Sequence, residues 1–318
     1  MSSLGRLIIR RLALGILTIW AASVVIFAAT EILPGDVATA VLGQAATPQA
    51  LANIREELDL DRPAPVRYAL WLGDFLSGDL GTSLANRRPI DAVIGQRLLN
   101  TLFLASVAAV IAVPLAILLG LLAALYRDSL LDKTISTSTL AAISMPEFLI
   151  GYLLIYLFAV QIQLFPSLAR IHDGMGLGQK LYAVALPAIT LTAVVVAHMM
   201  RMTRAAVINV LSSPFVEMAE LKGVPRGAII FRHALPNALS PIINVVVLNL
   251  AYLVVGVIVV EVVFVYPGMG QLMVDGVAKR DVPLVQACGL IFAVTYVGLN
   301  LLADILSILA NPRLRHPR

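Results

Sequence analysis

Residues 98–126 read LLNTLFLASVAAVIAVPLAILLGLLAALY, a stretch with no Asp, Glu, Lys or Arg. A helix crossing an apolar layer of about 30 Å needs roughly 20 such residues, because no water is present to satisfy its backbone polar groups. This stretch exceeds that length and fixes the solvent in which the rest of the chain is read.

Working outward from it, five further runs reach or approach the same test: 12–30, 140–163, 181–200, 241–262 and 284–308. The run 140–163 is interrupted by Pro146 and Glu147. Proline removes a helix hydrogen bond, so 134–145 is read as a separate piece ahead of the true span, and the count can fall to five or rise to seven. The composition agrees: 59% of the 318 residues are hydrophobic and 13% charged, with a mean hydropathy of +0.91, against about 25% charged residues in soluble domains. The expected fold is an all-α integral membrane protein of about six transmembrane helices.

The net charge of +4 does not point to nucleic acid, since basic residues stand singly or in pairs at the ends of apolar runs. Arg6, Arg10, Arg11, Arg127, Lys133, Arg201, Arg204, Lys222, Arg226 and Arg232 fall in alternate connections, which places both termini in the cytoplasm by the positive-inside rule. The apolar run after Arg11 exceeds a signal-peptide core and is read as a retained first span. The expected organisation is a cytoplasmic N-terminus (1–11), a first span (12–30), an outer loop (31–97), a core of five spans (98–310) and a cytoplasmic C-terminus (311–318). Cys288, the single cysteine, lies in an apolar run and reads as a packing residue.

The outer loop has structure of its own. Thr47-Pro48 is an N-cap and first-turn pair that opens a helix to about Leu58, and 66–76 is amphipathic. The longest inner connection is 201–237. Ser213-Pro214 opens a short helix over about 214–222, with Phe215, Met218 and Ala219 on one face. Gly223 stands where a helix end calls for a left-handed residue, and Pro225 permits a second helix that runs to Leu235 and Pro236. The plain reading is an amphipathic interfacial helix; the spacing adds more.

Glu217-Met218-Ala219, three residues, Gly223, nine residues, His233, one residue and Leu235-Pro236 resemble, interval for interval, the cytoplasmic loop of ABC-importer permeases. Met218 replaces the usual alanine and His233 the usual isoleucine. Leu33-Pro34-Gly35-Asp36, Gly78-Asp79-Leu80-Gly81-Thr82-Ser83, Tyr266-Pro267-Gly268-Met269-Gly270, Arg280-Asp281-Val282-Pro283 and Asn311-Pro312-Arg313 are similar, in order and spacing, to the dipeptide/oligopeptide/nickel branch of that family, in its B-type subunit. The resemblance implies a multi-pass subunit of the bacterial inner membrane that pairs with a second, homologous permease. Two cytoplasmic ABC ATPases would bind the ATP and Mg, and an external solute-binding protein would deliver di- or oligopeptides. This chain would form half the pathway. Its coupling loop (205–237) would seat on an ATPase through Phe215, Glu217, Met218, Ala219, Gly223, Leu235 and Pro236, so that ATPase closure displaces the adjoining spans as levers.

No phosphate-binding loop of the G-x-x-x-x-G-K-[ST] type occurs in the chain, so no ATPase activity is expected of it; no catalytic residue, metal site or bound cofactor is expected either. G-x-S-x-G and H-E-x-x-H are absent, which argues against an intramembrane hydrolase. The same architecture serves importers of nickel, glutathione or other small solutes, and an ATP-independent secondary transporter is the competing class. Glu147 and Glu261, ionisable groups at span ends, are candidates for the substrate pathway, with structural caps as the alternative. His198 reads as an interfacial anchor or a gate. Asn100, Asn244, Asn249 and Asn300 read as helix glue; Tyr152, Tyr156, Tyr252 and Tyr296 read as packing aromatics.

Overall fold

The computed structural model describes residues 3–32, 47–57, 60, 62–172 and 174–310. They form α1 (Ser3–Ile32), α2 (Pro48–Glu57), α3 (Ala64–Ser77), α4 (Ile90–Leu125), α5 (Leu130–Ser144) and α6 (Glu147–Leu154, continued as a π-helix over Ile155–Gln161). These are followed by α7 (Leu177–Ala183), α8 (Ala185–Leu211), α9 (Pro214–Leu221), α10 (Arg226–Ala228), a π turn (Ile229–Ala234), α11 (Leu235–Val263), α12 (Met269–Ala278) and α13 (Val282–Ala310). Among the described residues the only β pairing is an isolated bridge between Thr82 and Pro89. Five helices are long and apolar enough to cross a membrane, and α5 with α6, bent by 103° at a short break, adds a sixth where the pair counts as one span. Leu33-Pro34-Gly35-Asp36 and Asn311-Pro312-Arg313 lie outside the described residues.

The break falls at Pro146. Met145 and Pro146 are extended (ψ 133 and 140), because the proline ring excludes the preceding residue from helical geometry. The 134–145 piece expected as separate is therefore a distinct helix. The 36 residues of α4, at 1.5 Å each, span about 54 Å, so its N-terminal turns project beyond the apolar layer.

Packing centres on α8. In its apolar window 67% of residues are buried, against 11% in α1 and 28% in α4. Its mean hydropathy is correspondingly the lowest of the five, 1.5 against 2.8 for α4, since a helix surrounded by protein does not have to dissolve in lipid. The most extensive helix contact is between α4 and α8. Ala105, Ala108, Ala112, Ala116, Gly120 and Ala123 form the buried stripe of α4, and a Cβ on Gly120 would lie 2.8 Å from Thr203 Cβ. Small residues at this repeat let two backbones approach closely where no hydrophobic effect drives helices together. Leu253, Val257 and Val260 of α11 close the same core, and Cys288 packs with Ile90, Met269 and Phe292 in a second one.

Both ends of the bundle are consistent in content. At the end carrying α9, which we call proximal, Ala124, Val207, Ala238 and Ile242 meet, and Arg11 bonds Asp304 at 2.8 Å. At the distal end α3 lies on α1: Arg67 bonds Glu31 at 2.5 Å, Tyr68 and Ser23 share a hydrogen bond, and Phe27 packs on Tyr68 and Trp71. The loop helices expected between the first two spans are thus present, and α3 is tied to the first span.

Candidate functional site

At the proximal end α9 begins as its sequence directs, with Ser213 extended and Pro214 in the first turn. The Ser213 hydroxyl, however, donates to Val210 O at 2.5 Å and does not cap the helix. The other end is closed by Gly223, at φ +73. Gly223 N donates to Glu220 O (2.9 Å) and Val224 N to Ala219 O (3.2 Å), the paired bonds of a Schellman ending with its usual apolar contact between the flanking residues.

This ending decides which face of α9 is free. Val216, Ala219 and Ile229 bury one another, with Val224 alongside. Phe215, Met218 and Leu221 are 45%, 53% and 76% exposed, and Glu217 is exposed beside them. The expectation that Ala219 shares the outward face is corrected: it is buried against Ile229, because the tight turn at Gly223 folds the next helix back over that side. Leu235 is half-buried and Pro236 exposed. The two-helix reading also needs correction, since Arg226 to Val263 is helical throughout. The π turn at Ile229–Ala234 takes the place of a break before Pro236, a residue without an amide donor. α9 therefore rests on the first turns of a helix that continues through the bundle.

The distal motifs do the opposite and fold onto buried carboxylates. Asp281 accepts a hydrogen bond from the Ser83 hydroxyl, from Leu84 N at 3.1 Å and from Ala85 N at 3.3 Å. Gly81, at φ +77, turns that loop so that its amides point one way. Glu261, 0% exposed, accepts from Thr101 Oγ1 (2.6 Å) and Gln271 N (3.0 Å), while Thr101 Oγ1 accepts from Met269 N (2.8 Å). Tyr266 donates to Asn100 O (2.7 Å), and Asn100 Nδ2 donates to Pro267 O (2.8 Å). A Cβ on Gly268 would stand 2.0 Å from Glu261 Oε1, so glycine is required there by space. Of the two readings of Glu261, this geometry gives the structural one: the carboxylate pins 266–270 to α4 and presents no free surface.

Glu147 is partly exposed and accepts from Tyr252 at 3.0 Å. His198 is exposed between the buried Val194–Ala197 and Met199–Met200 of α8. Asn249 and Asn300 bond carbonyls of their own helices, whereas Asn100 joins two elements. The pair that sequence reading missed is Asp132 and Arg204, bidentate at 2.8 and 2.7 Å, with Asp132 also accepting from Asp128 N and Ser136. The pair ties the start of α5 to α8. Its one legible signal was Ser129, three residues before Asp132, whose hydroxyl caps α5.

The chain matches "Binding-protein-dependent transport system inner membrane component" over residues 116–316 and "Binding-prot-dependent transport system membrane comp, N-term" over 4–105. It is 36% identical, over 98% of its length and 100% of the relative's, to "Probable peptide ABC transporter permease protein y4tP" of Sinorhizobium fredii. It is 35% identical to "Glutathione transport system permease protein GsiC" of Escherichia coli strain K12 and 34% to that of Salmonella typhimurium, each over 97% of this chain and 98% of the relative. With its bent α5–α6 pair and its short helix held against the entry to α11, the chain belongs to the inner-membrane permease family of binding-protein-dependent ABC transporters, in the dipeptide/oligopeptide-type branch.

Proposed function

We propose that this subunit forms half of the transmembrane pathway of a peptide importer, with a second permease supplying the other half. Both termini and α9 face the cytoplasm, where two ATPase subunits bind and hydrolyse ATP, and an external binding protein delivers the solute. The observation that carries this reading is α9. It is a short helix on a charge-bearing end of the bundle, its apolar residues Phe215, Met218 and Leu221 turned outward and Glu217 among them, with its other face fixed on Ile229. Exposed apolar side chains at a water-facing end mark a protein contact. An ATPase surface covering α9 would push on Val216 and Ala219, hence on Ile229, and so on α11 as one rigid piece.

A second reading concerns the solute alone: the glutathione-system relatives favour glutathione, itself a small peptide. Affinity purification of the tagged chain from membranes in mild detergent, with mass spectrometry and an ATPase assay of the eluate, tests the assembly. Co-purification of a second permease and ATPase subunits, with hydrolysis stimulated by peptide-loaded binding protein, is expected. A chain that purifies alone and carries solute into liposomes without ATP is a secondary carrier.

A further inference from the structure

The exposed surface of the bundle is mostly aliphatic, on α6 and α11 (Leu153, Val160, Leu248) as elsewhere. On α1 and the outward face of α4 it is aliphatic, with Ile16, Leu17, Val25, Val110 and Leu118 each more than half exposed. On α6 and α11 it also carries Tyr152, Tyr156 and Tyr252, each about half exposed, together with the Glu147 carboxylate. A carboxylate is among the costliest groups to turn toward hydrocarbon, and when found at membrane depth it faces a cavity or a pathway. Glu147 follows the extended Met145 and Pro146 at the 103° break. Irregular backbone of this kind is tolerated within the membrane only beside protein or a water-filled space. Its partner Tyr252 lies within the apolar stretch Leu235–Val254 of α11, which puts the pair in the part of the bundle apolar enough to cross a membrane.

The chemistry of the pair selects its ligand. Among the described residues no group of three or more His, Cys, Asp and Glu side chains gathers to hold a metal ion, so Glu147 offers a single carboxylate beside the Tyr252 phenol. That combination suits a protonated amine, through a charge-assisted hydrogen bond and the electron-rich ring faces. We propose that Glu147 and Tyr252 form a station in the pathway for the ammonium group of the transported solute, which displaces the Tyr252 hydroxyl from the carboxylate on arrival and yields to it on departure. The proposal rests on the peptide reading above. It also gives α9 a route to the solute: α11 is continuous with the turn that holds α9, so displacing α9 moves Tyr252 relative to Glu147 on α6.

The test is uptake of a mixture of labelled dipeptides with free amino termini by the complete transporter, co-purified ATPase content serving as the control for folding. With assembly unchanged, Glu147→Gln is expected to lower uptake at limiting peptide by at least about 10-fold, the worth of one hydrogen bond to a charged group. Glu147→Asp should retain more of it, and Tyr252→Phe should lose no more than about fivefold, because the solute replaces that hydroxyl. Normal uptake by Glu147→Gln, or a larger loss in Tyr252→Phe than in Glu147→Gln, overturns the station and leaves the peptide reading standing. If the unaltered transporter takes up none of the mixture, both the peptide reading and the ammonium assignment fall.

Discussion

The two ends of the bundle treat their motifs in opposite ways. At the distal end Gly78 to Ser83 and Tyr266 to Gly270 close on Asp281 and Glu261, both 0% exposed, which take their hydrogen bonds from the Ser83 and Thr101 hydroxyls and from the Leu84, Ala85 and Gln271 amides within the chain. At the proximal end the loop from Glu217 to Pro236 keeps its own ending satisfied by Gly223 but leaves Phe215, Met218 and Leu221 uncovered. A motif whose polar groups are internally satisfied holds the fold; a motif that settles its backbone and still exposes apolar side chains is, on the function proposed above, the one that meets another chain. The two should therefore fail differently when altered, one in stability and the other in assembly.

The largest effect is expected at Gly268. Gly268→Ala drives a methyl into the Glu261 carboxylate, which Thr101 and Gln271 hold in place, and should destabilise the protein by about 4 kcal/mol or more, the range of severe core disruptions. Thermal unfolding in detergent would show it as loss of folded protein. Asp281→Ala leaves the Ser83 hydroxyl and two amides without their acceptor and should cost about 3 kcal/mol in the same assay. Removing Asp132 strands Arg204, whose side chain is 27% exposed. A loss of about 2–3 kcal/mol is expected for Asp132→Ala, below the fully buried case, with a smaller loss when Arg204 is removed as well.

At the proximal end the stability cost shrinks and the assembly cost grows. A Cβ on Gly223 meets open space, so Gly223→Val is penalised only by its left-handed backbone, by about 1–2 kcal/mol. It should nevertheless lower ATPase recovery in co-purification, since α9 would tilt, and Gly223→Asn should be milder. Phe215→Ser with Met218→Ser alters exposed positions and should change thermal stability by about 0.5 kcal/mol or less each.

Much of this arrangement was legible in the sequence, and the gaps have definite causes. Apolar run length found the crossings, and Pro146 announced the break, because both depend on local chemistry. Helix ends were placed short, α4 starting at Ile90 and α13 at Val282, since hydropathy marks the apolar layer and a helix continues past it. Ser213-Pro214 and Gly223 were readable as a start and a stop. The inward turn of Ala219 was not, because on a helical wheel it shares an arc with both Phe215 and Val216 and only the fold of the following helix decides between them. The contacts of Asp281 and Asp132 were not legible, since their partners Ser83 and Arg204 are distant in the chain and nothing local records the encounter.

The most direct test is co-purification of ATPase subunits with the tagged Phe215→Ser, Met218→Ser chain against the unaltered one, at matched expression and unfolding temperature. Loss of the ATPases with normal stability and a retained second permease is the predicted result. Full ATPase recovery from the altered chain would contradict it and show that the exposed face of α9 is not the contact.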